Sequence, residues 1–149
     1  MREQGLVSVV KAEPRHAYSL KVLTSEFFPY AGVTSENVNA RLKSNEIDYY
    51  VAVENNSIVG FVDFEIKSGK AKVMGLAVLK EKRSKGIGRA LLKRALTEIR
   101  SKGARDCVVL VAEDNTVAIR LYESFGFSKS GVLDRKLWDK TVLLMSKEL

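Results

Sequence analysis

The sequence predicts an α/β fold, a single domain over 1–149 in which helices cover both faces of a mixed β-sheet. Three strand-like segments rich in β-branched and aromatic residues lie between residues 47 and 79, separated by short turns, which predicts an antiparallel meander. An amphipathic segment, 86–102, then precedes a continuous apolar strand, 107–112. Because a strand–helix–strand unit pairs its strands in parallel, we expect a mostly antiparallel sheet with one parallel pair.

Hydrophobic period, turn residues and capping residues define about seven strands and about four helices. The predicted strands, in chain order, are 6–10, 47–54, 58–66, 71–79, 107–112, 127–133 and 141–147. The predicted helices run from Pro14 to about Phe27, over 36–42 after a cap at Thr34 or Ser35, over 86–102, and from a cap at Asp114 or Asn115 to Gly126. The third helix has the clearest pattern, with an apolar stripe at Ile87, Leu91, Ala95 and Ile99.

The segment between the first two helices is aromatic and is interrupted by proline and glycine. Loops held by a rigid scaffold often bind ligands, so Phe28 and Tyr30 are candidates to line a substrate pocket. The alternative is that Phe27 and Phe28 anchor the turn in the core. The sequence leaves both interpretations open.

Composition narrows the class of protein. Hydrophobic residues make up 46% and charged residues 29%, which is typical of a soluble globular protein, and no apolar run is long enough to cross a bilayer. The N-terminus lacks the apolar core of a secretory signal, so we expect a cytoplasmic protein without a membrane partner. Cys107 is the only cysteine, which excludes an intrachain disulfide and a cysteine-based zinc cluster, and no metal site is expected. His16, the only histidine, is predicted to lie on the surface of the first helix.

The net charge of +7 fits either an anionic ligand or simple solubility. Lysines and arginines are spread along the chain, and no nucleic-acid reader motif with interleaved aromatic residues is present, so we do not expect nucleic-acid binding. A nucleic-acid-binding protein, the rival interpretation, would show an affinity for nucleic acid that falls steeply as the salt concentration rises.

The turn at 83–89 is built to hold an anion. A helix N-terminus has unpaired backbone amides and a partial positive charge. Gly86 and Gly88 allow close approach of phosphate oxygens, and Arg83, Lys85 and Arg89 add full charges. A P-loop is excluded because no Gly-Lys-Ser/Thr closes the turn. The turn therefore predicts a diphosphate site.

Two segments resemble the GNAT N-acetyltransferase family. Arg83-Ser84-Lys85-Gly86-Ile87-Gly88, after a strand that ends in Ala77-Val78, is similar to the family's acetyl-CoA signature. Asn115-x-x-Ala118-x-x-x-Tyr122-x-x-x-Gly126-Phe127 is similar to a second family segment. With the strands around them, the matches cover about residues 60–127. The resemblance implies a GNAT fold, parallel strands that splay apart near Val78 and Val111, and acetyl-CoA (coenzyme A) as cofactor.

The resemblance also implies the roles of individual residues. The residues expected on the pyrophosphate are Arg83, Ser84, Lys85, Gly86, Ile87, Gly88 and Arg89. The pantetheine arm would add as an extra strand along Leu76, Ala77 and Val78, held also by Asn115. Tyr122 would stand near the sulfur as general acid. Gly75 is expected either at a strand bulge beside the thioester or as a glycine that eases close packing.

The general base is not specified by the resemblance. Many family members carry a glutamate early on the strand before the signature turn, where this chain has Ala71-Lys72-Val73. Glu65 or Asp63 on the neighbouring strand, or Glu113 after the next one, could act directly or through water. A water relay without a side-chain base is the alternative.

The acceptor is expected to be a primary amine. The segment 138–145 resembles the last strands of ribosomal-protein and Nα-acetyltransferases, which implies a protein or peptide N-terminus. Small amines, polyamines and lysine side chains stay open, because fold and cofactor do not fix the acceptor. A non-catalytic acyl-CoA-binding regulatory module is the rival class. We expect a monomer or a homodimer.

Overall fold

The computed structural model describes residues 6–27, 34–137 and 139–149. Within these ranges seven strands form one sheet. The strands are β1 (Val7–Lys11), β2 (Ile47–Glu54), β3 (Ser57–Lys67), β4 (Lys70–Val78), β5 (Asp106–Ala112), β6 (Ser128–Val132) and β7 (Val142–Glu148). Their order is β1-β2-β3-β4-β5-β7-β6, and β4 and β5 are the parallel pair in an otherwise antiparallel sheet. The predicted fold class is confirmed.

Four α-helices lie in the described residues: α1 (Ala17–Phe27), α2 (Ser35–Lys43), α3 (Ile87–Ser101) and α4 (Thr116–Ser124). α1 and α2 cover one face of the sheet, where Leu20 and Val38 belong to the same core cluster as Phe61. α3 and α4 cover the other face, where Leu92 and Tyr122 share a core with the strand residues opposite. None of these helices is both long enough and apolar enough to cross a bilayer.

The first two helices begin with side-chain caps. The chain enters α1 through a 3-10 turn, Pro14–His16, where the sequence predicted the helix itself. The Glu13 amide donates to His16 Nδ1 at 2.9 Å, and His16 is buried. The prediction of a surface histidine is therefore wrong, because the ring satisfies an amide that the turn leaves unpaired. At α2 the cap is Thr34, whose Oγ1 accepts from the Asn37 amide at 3.1 Å.

α3 buries the predicted apolar stripe and anchors one face of the sheet. Its buried residues are Ile87, Leu91, Leu92, Ala95, Leu96 and Ile99. Burying each large aliphatic side chain contributes about 1.5–3 kcal/mol. The N-terminus of α3 is thereby fixed against the sheet beside the end of β4.

Replacing Leu92 by alanine should lower the free energy of unfolding by about 2–5 kcal/mol. Leu92 is fully buried, so truncation removes apolar contacts and leaves a cavity that its close-packed neighbours fill only in part. Urea denaturation measures the loss. Lys93→Ala, at the next and exposed position, is the control and should change the free energy by less than about 0.5 kcal/mol. Equal effects at both positions would contradict this packing of α3.

Candidate active site

The sheet opens between its two parallel strands. β4 and β5 pair only from Lys70 opposite Asp106 to Val73 opposite Val109. Beyond that point β4 stays paired with β3 and β5 stays paired with β7. The predicted splay is present and begins earlier than Val78 and Val111. We call this opening the wedge. Its two sides are the edges of β4 and β5, and an extended ligand can add to such an edge as an extra strand.

A β-bulge lies on β4 where the wedge begins. Asp63 of β3 pairs with Gly75 and the next residue, Phe64, pairs with Val73, so Met74 is the extra residue. A bulged residue is left out of the ladder and redirects the side chains that follow. Accordingly Val73 packs on the α3 side of the sheet, whereas Ala77, four residues later, packs on the α1 side.

Gly75 itself is needed for close packing. A Cβ at this position would lie 2.7 Å from Asp63 Oδ1 and 3.2 Å from Phe61 Cε2, which is closer than carbon atoms approach such groups. We expected Gly75 either at a bulge or at a point of close packing. The extra residue of the bulge is its neighbour Met74, and close packing fits position 75.

The turn before α3 presents backbone amides. Gly86 is the N-cap of α3, with φ +84°, and Ser84 before it has φ +63°. The first helical hydrogen bond runs from the Ala90 amide to the Gly86 carbonyl at 3.0 Å. The amides of residues 87–89 therefore have no helical acceptor, and this group of amides is here called the cradle.

Two arginines flank this cradle. Arg83 Nε donates to the Val78 carbonyl at 3.1 Å, which ties the turn to the end of β4. Arg89 Nη2 donates to Ser124 Oγ at 3.1 Å, and its guanidinium lies 5.1 Å from the centre of the Phe125 ring. Arg89 thus bridges the start of α3 to the end of α4, and its charge is held at the rim of the turn.

α4 places the phenol that the sequence singled out. Asn115 caps the helix, its Oδ1 accepting from the Ala118 amide at 3.2 Å. Tyr122 is 5% exposed, and its ring meets Phe127 edge-on at 5.8 Å between centres. Burial raises the pKa of Tyr122 above its usual value, with smaller contributions from Cys107 and Asp63. The phenol is therefore neutral near physiological pH.

A second polar group lies on the α1–α2 face of the bulge. Asp63 is 3% exposed, and its Oδ2 accepts from Arg41 Nη2 at 3.1 Å. The Arg41 guanidinium in turn lies 5.6 Å from the centre of the Tyr49 ring. Burial raises the pKa of Asp63 to about 6, although Arg41, the Tyr49 hydroxyl and backbone amides oppose the shift.

The other predicted carboxylates lie in different surroundings. Glu65 is two residues along β3 from Asp63 and pairs with Lys67 Nζ at 3.7 Å. Glu113 is exposed after β5, and its amide donates to the Thr141 carbonyl at 2.9 Å. Phe28, Tyr30 and Trp138 lie outside the described residues.

Sequence reasoning named Asp63 as one of three candidate bases and missed its partners Arg41 and Tyr49. A signal was available, because Asp63 is a lone charge in the apolar run from Phe61 to Phe64. Its partner Arg41 comes from a helix 22 residues earlier, which no local pattern indicates.

Comparison with known proteins agrees with this geometry. The model of the acetyltransferase (GNAT) family matches residues 16–127. An N-alpha-acetyltransferase of Saccharolobus solfataricus is 32% identical over 105 residues, 62% of this chain and 63% of that protein. The [ribosomal protein bS18]-alanine N-acetyltransferase of Haemophilus influenzae is 30% identical over 91 residues, 59% of this chain and 62% of that protein. The aligned part thus spans less than two thirds of either relative.

A solved structure shares the whole fold. The PaiA N-acetyltransferase from Thermoplasma acidophilum, in complex with coenzyme A, superimposes with a TM-score of 0.80 at 21% identity, covering 97% of this chain and 99% of that one. At this identity the likeness shows that the two chains share a fold. The chain belongs to the acetyltransferase (GNAT) family.

Proposed function

We propose that this protein transfers an acetyl group from acetyl-CoA to a primary amine, with a protein or peptide N-terminal α-amine as acceptor. The observation that carries the proposal is the wedge between β4 and β5, with the unpaired amides at the start of α3 near the end of β4. The buried Tyr122 belongs to the same core cluster as Val109 and Val111 of β5. The named relatives that act on N-terminal amines support the choice of acceptor.

The residues present fit the cofactor. The amides of Ile87, Gly88 and Arg89, with Ser84 and the cations Arg83 and Lys85, would hold the pyrophosphate. The β4 edge at Leu76, Ala77 and Val78 would pair with the pantetheine arm. The side-chain NH₂ of Asn115 would be available to bind the pantetheine arm, because the helix cap uses only the Oδ1 atom. When bound, acetyl-CoA supplies an activated acetyl thioester.

Tyr122 is proposed as the general acid. A phenol donates a proton to a departing thiolate without bringing a charge into the apolar wedge beforehand. Its burial supports this role, because the buried phenol is neutral and the neutral form is the one that can donate a proton.

The carboxylates Glu65 and Glu113 stay candidates for the general base, and Phe28 and Tyr30 for the acceptor pocket. Glu65 is on the same face of β3 as Asp63 but is paired with Lys67, and Glu113 is exposed to solvent. A cytoplasmic location and a monomeric or homodimeric state stay predictions. The alternative functions are acetylation of a small amine and a non-catalytic acyl-CoA-binding regulatory module.

The proposal is tested by incubating the protein with acetyl-CoA and a panel of acceptors, read by mass spectrometry. The panel contains peptides with free N-termini, the same peptides with blocked N-termini and an internal lysine, and polyamines. A mass gain on the free N-termini is expected. Transfer to polyamines alone would favour the small-amine alternative. Binding of coenzyme A without transfer to any amine would leave the regulatory module.

The cradle is tested by Gly86→Ala, which should weaken coenzyme A binding about tenfold, or about 1.4 kcal/mol. A Cβ at the N-cap would stand where phosphate oxygens approach the amides, and it would strain a residue at φ +84°. Gly69→Ala is the matched control, since Gly69 has φ +77°, equally open surroundings and a position in the β3–β4 turn. Calorimetry should show weakened binding only for the change at Gly86. Equal losses of affinity in the two variants would contradict the cradle.

A further inference from the structure

One oxygen of Asp63 has no hydrogen bond of regular geometry. Oδ2 accepts from Arg41, whereas Oδ1 is buried and makes no regular hydrogen bond to a described residue, although the Tyr49 hydroxyl and the Gly75 amide are near enough to favour the ionised carboxylate. Buried acceptors without a partner are rare, because they lose their hydration and gain nothing in return. An oxygen kept in this state is ready to accept a hydrogen bond from a donor that arrives from outside.

The position of this oxygen relates it to the wedge. Asp63 pairs with Gly75 in the ladder, next to the bulge at Met74 and to the last β4–β5 pair at Val73. Oδ1 lies in the space that a side chain at position 75 would fill. It therefore lies against the β4 edge where the two strands part, on the α1–α2 face, opposite the helices that carry the cradle and Tyr122.

We infer that Asp63 Oδ1 accepts the proton of the acceptor amine, directly or through one water. The inference rests on the proposed function. In the step, an N–H bond of the acceptor ammonium breaks and an O–H bond forms on Oδ1. The nitrogen keeps the electron pair with which it attacks. After the attack the nitrogen loses a second proton, which replaces the proton that Tyr122 gives to the thiolate. The Asp63 carboxylic acid returns its proton to solvent after the product leaves, so the protein is unchanged after each turnover.

The groups around Asp63 suit it to this task. Among the described residues, those that act on its charge are Arg41 from α2, the Tyr49 hydroxyl from β2 and the Gly75 amide from β4, and its own charge reaches Tyr122 on α4. With a pKa of about 6, the Asp63 carboxylate is ionised near neutral pH and can take up a proton.

The test compares pH profiles of kcat/KM for acetylation of a peptide α-amine. Asp63→Asn keeps the size of the side chain but cannot take the proton, and should lower kcat/KM about 100-fold or more. Arg41→Gln removes the cation that opposes the raised pKa of Asp63, so the acidic limb of the profile should move to higher pH, and Arg41→Lys should restore it. Asp48→Asn is the control. Asp48 lies away from the wedge, where its Oδ2 forms an ion pair with Lys102 Nζ at 3.3 Å.

A second readout does not depend on turnover. The ¹³C signal of the Asp63 carboxyl should titrate with a midpoint near pH 6 in the unmodified protein and at higher pH in Arg41→Gln. A midpoint near pH 4, or an Asp63→Asn variant with an unchanged rate and profile, would overturn the inference while the proposed function stands. Absence of transfer by the unmodified protein, with Asp63 titrating as expected, would instead refute the proposed function.

Discussion

Replacing Tyr122 by phenylalanine should lower kcat for acetyl transfer about 100-fold or more and leave coenzyme A affinity nearly unchanged. The substitution removes one buried hydroxyl and keeps the ring that packs edge-on against Phe127. The loss should therefore fall on the step in which the thiolate leaves rather than on binding. Steady-state kinetics and calorimetry with coenzyme A separate the two effects.

Tyr18→Phe is the matched control for this experiment. Tyr18 is 69% exposed on α1, and loss of its hydroxyl should change neither rate nor affinity. If Tyr122→Phe keeps the full rate, another group or water supplies the proton, and the role proposed for Tyr122 is refuted. If it abolishes coenzyme A binding, the hydroxyl serves the cofactor instead.

Replacing Asp63 by asparagine should raise the free energy of unfolding near neutral pH by up to about 3 kcal/mol. Burial raises the pKa of Asp63 from 3.8 to about 6 in the folded protein, so its ionised form is disfavoured there. The stability that this group contributes is present below about pH 4 and is lost as the pH rises to about 6. The asparagine side chain carries no charge, so it avoids that loss of stability, and its amide oxygen still accepts a hydrogen bond from Arg41.

Urea denaturation of both proteins at pH 4 and pH 7.5 measures this difference. The two free energies should be similar at the lower pH and should differ most at the higher one. A variant that gains stability while losing activity would show that Asp63 is kept for chemistry rather than for folding. A variant less stable at pH 7.5 than the unmodified protein would contradict the raised pKa.

Much of the fold could be predicted because its signals are local. A parallel pairing of β4 and β5 is predicted by three local signals. These are the apolar stripe of α3, the glycine turn before that helix and the apolar run of β5. The two motif segments, 83–88 and 115–127, carry the family resemblance that the family match confirms. Each of these signals depends on residues close together in the chain.

The sequence by itself determined the order of strands and helices along the chain, the glycine turn before α3 and the position of Tyr122 on the last helix. Only the tertiary structure decided where β4 bulges, where it leaves β5, and that Asp63 rather than Glu65 lies deeply buried at that point. The reason is physical, because a bulge changes which face each later side chain takes, and burial depends on helices packed from elsewhere in the chain. The charge on Asp63 is governed by Arg41, which the packing of α2 brings to it.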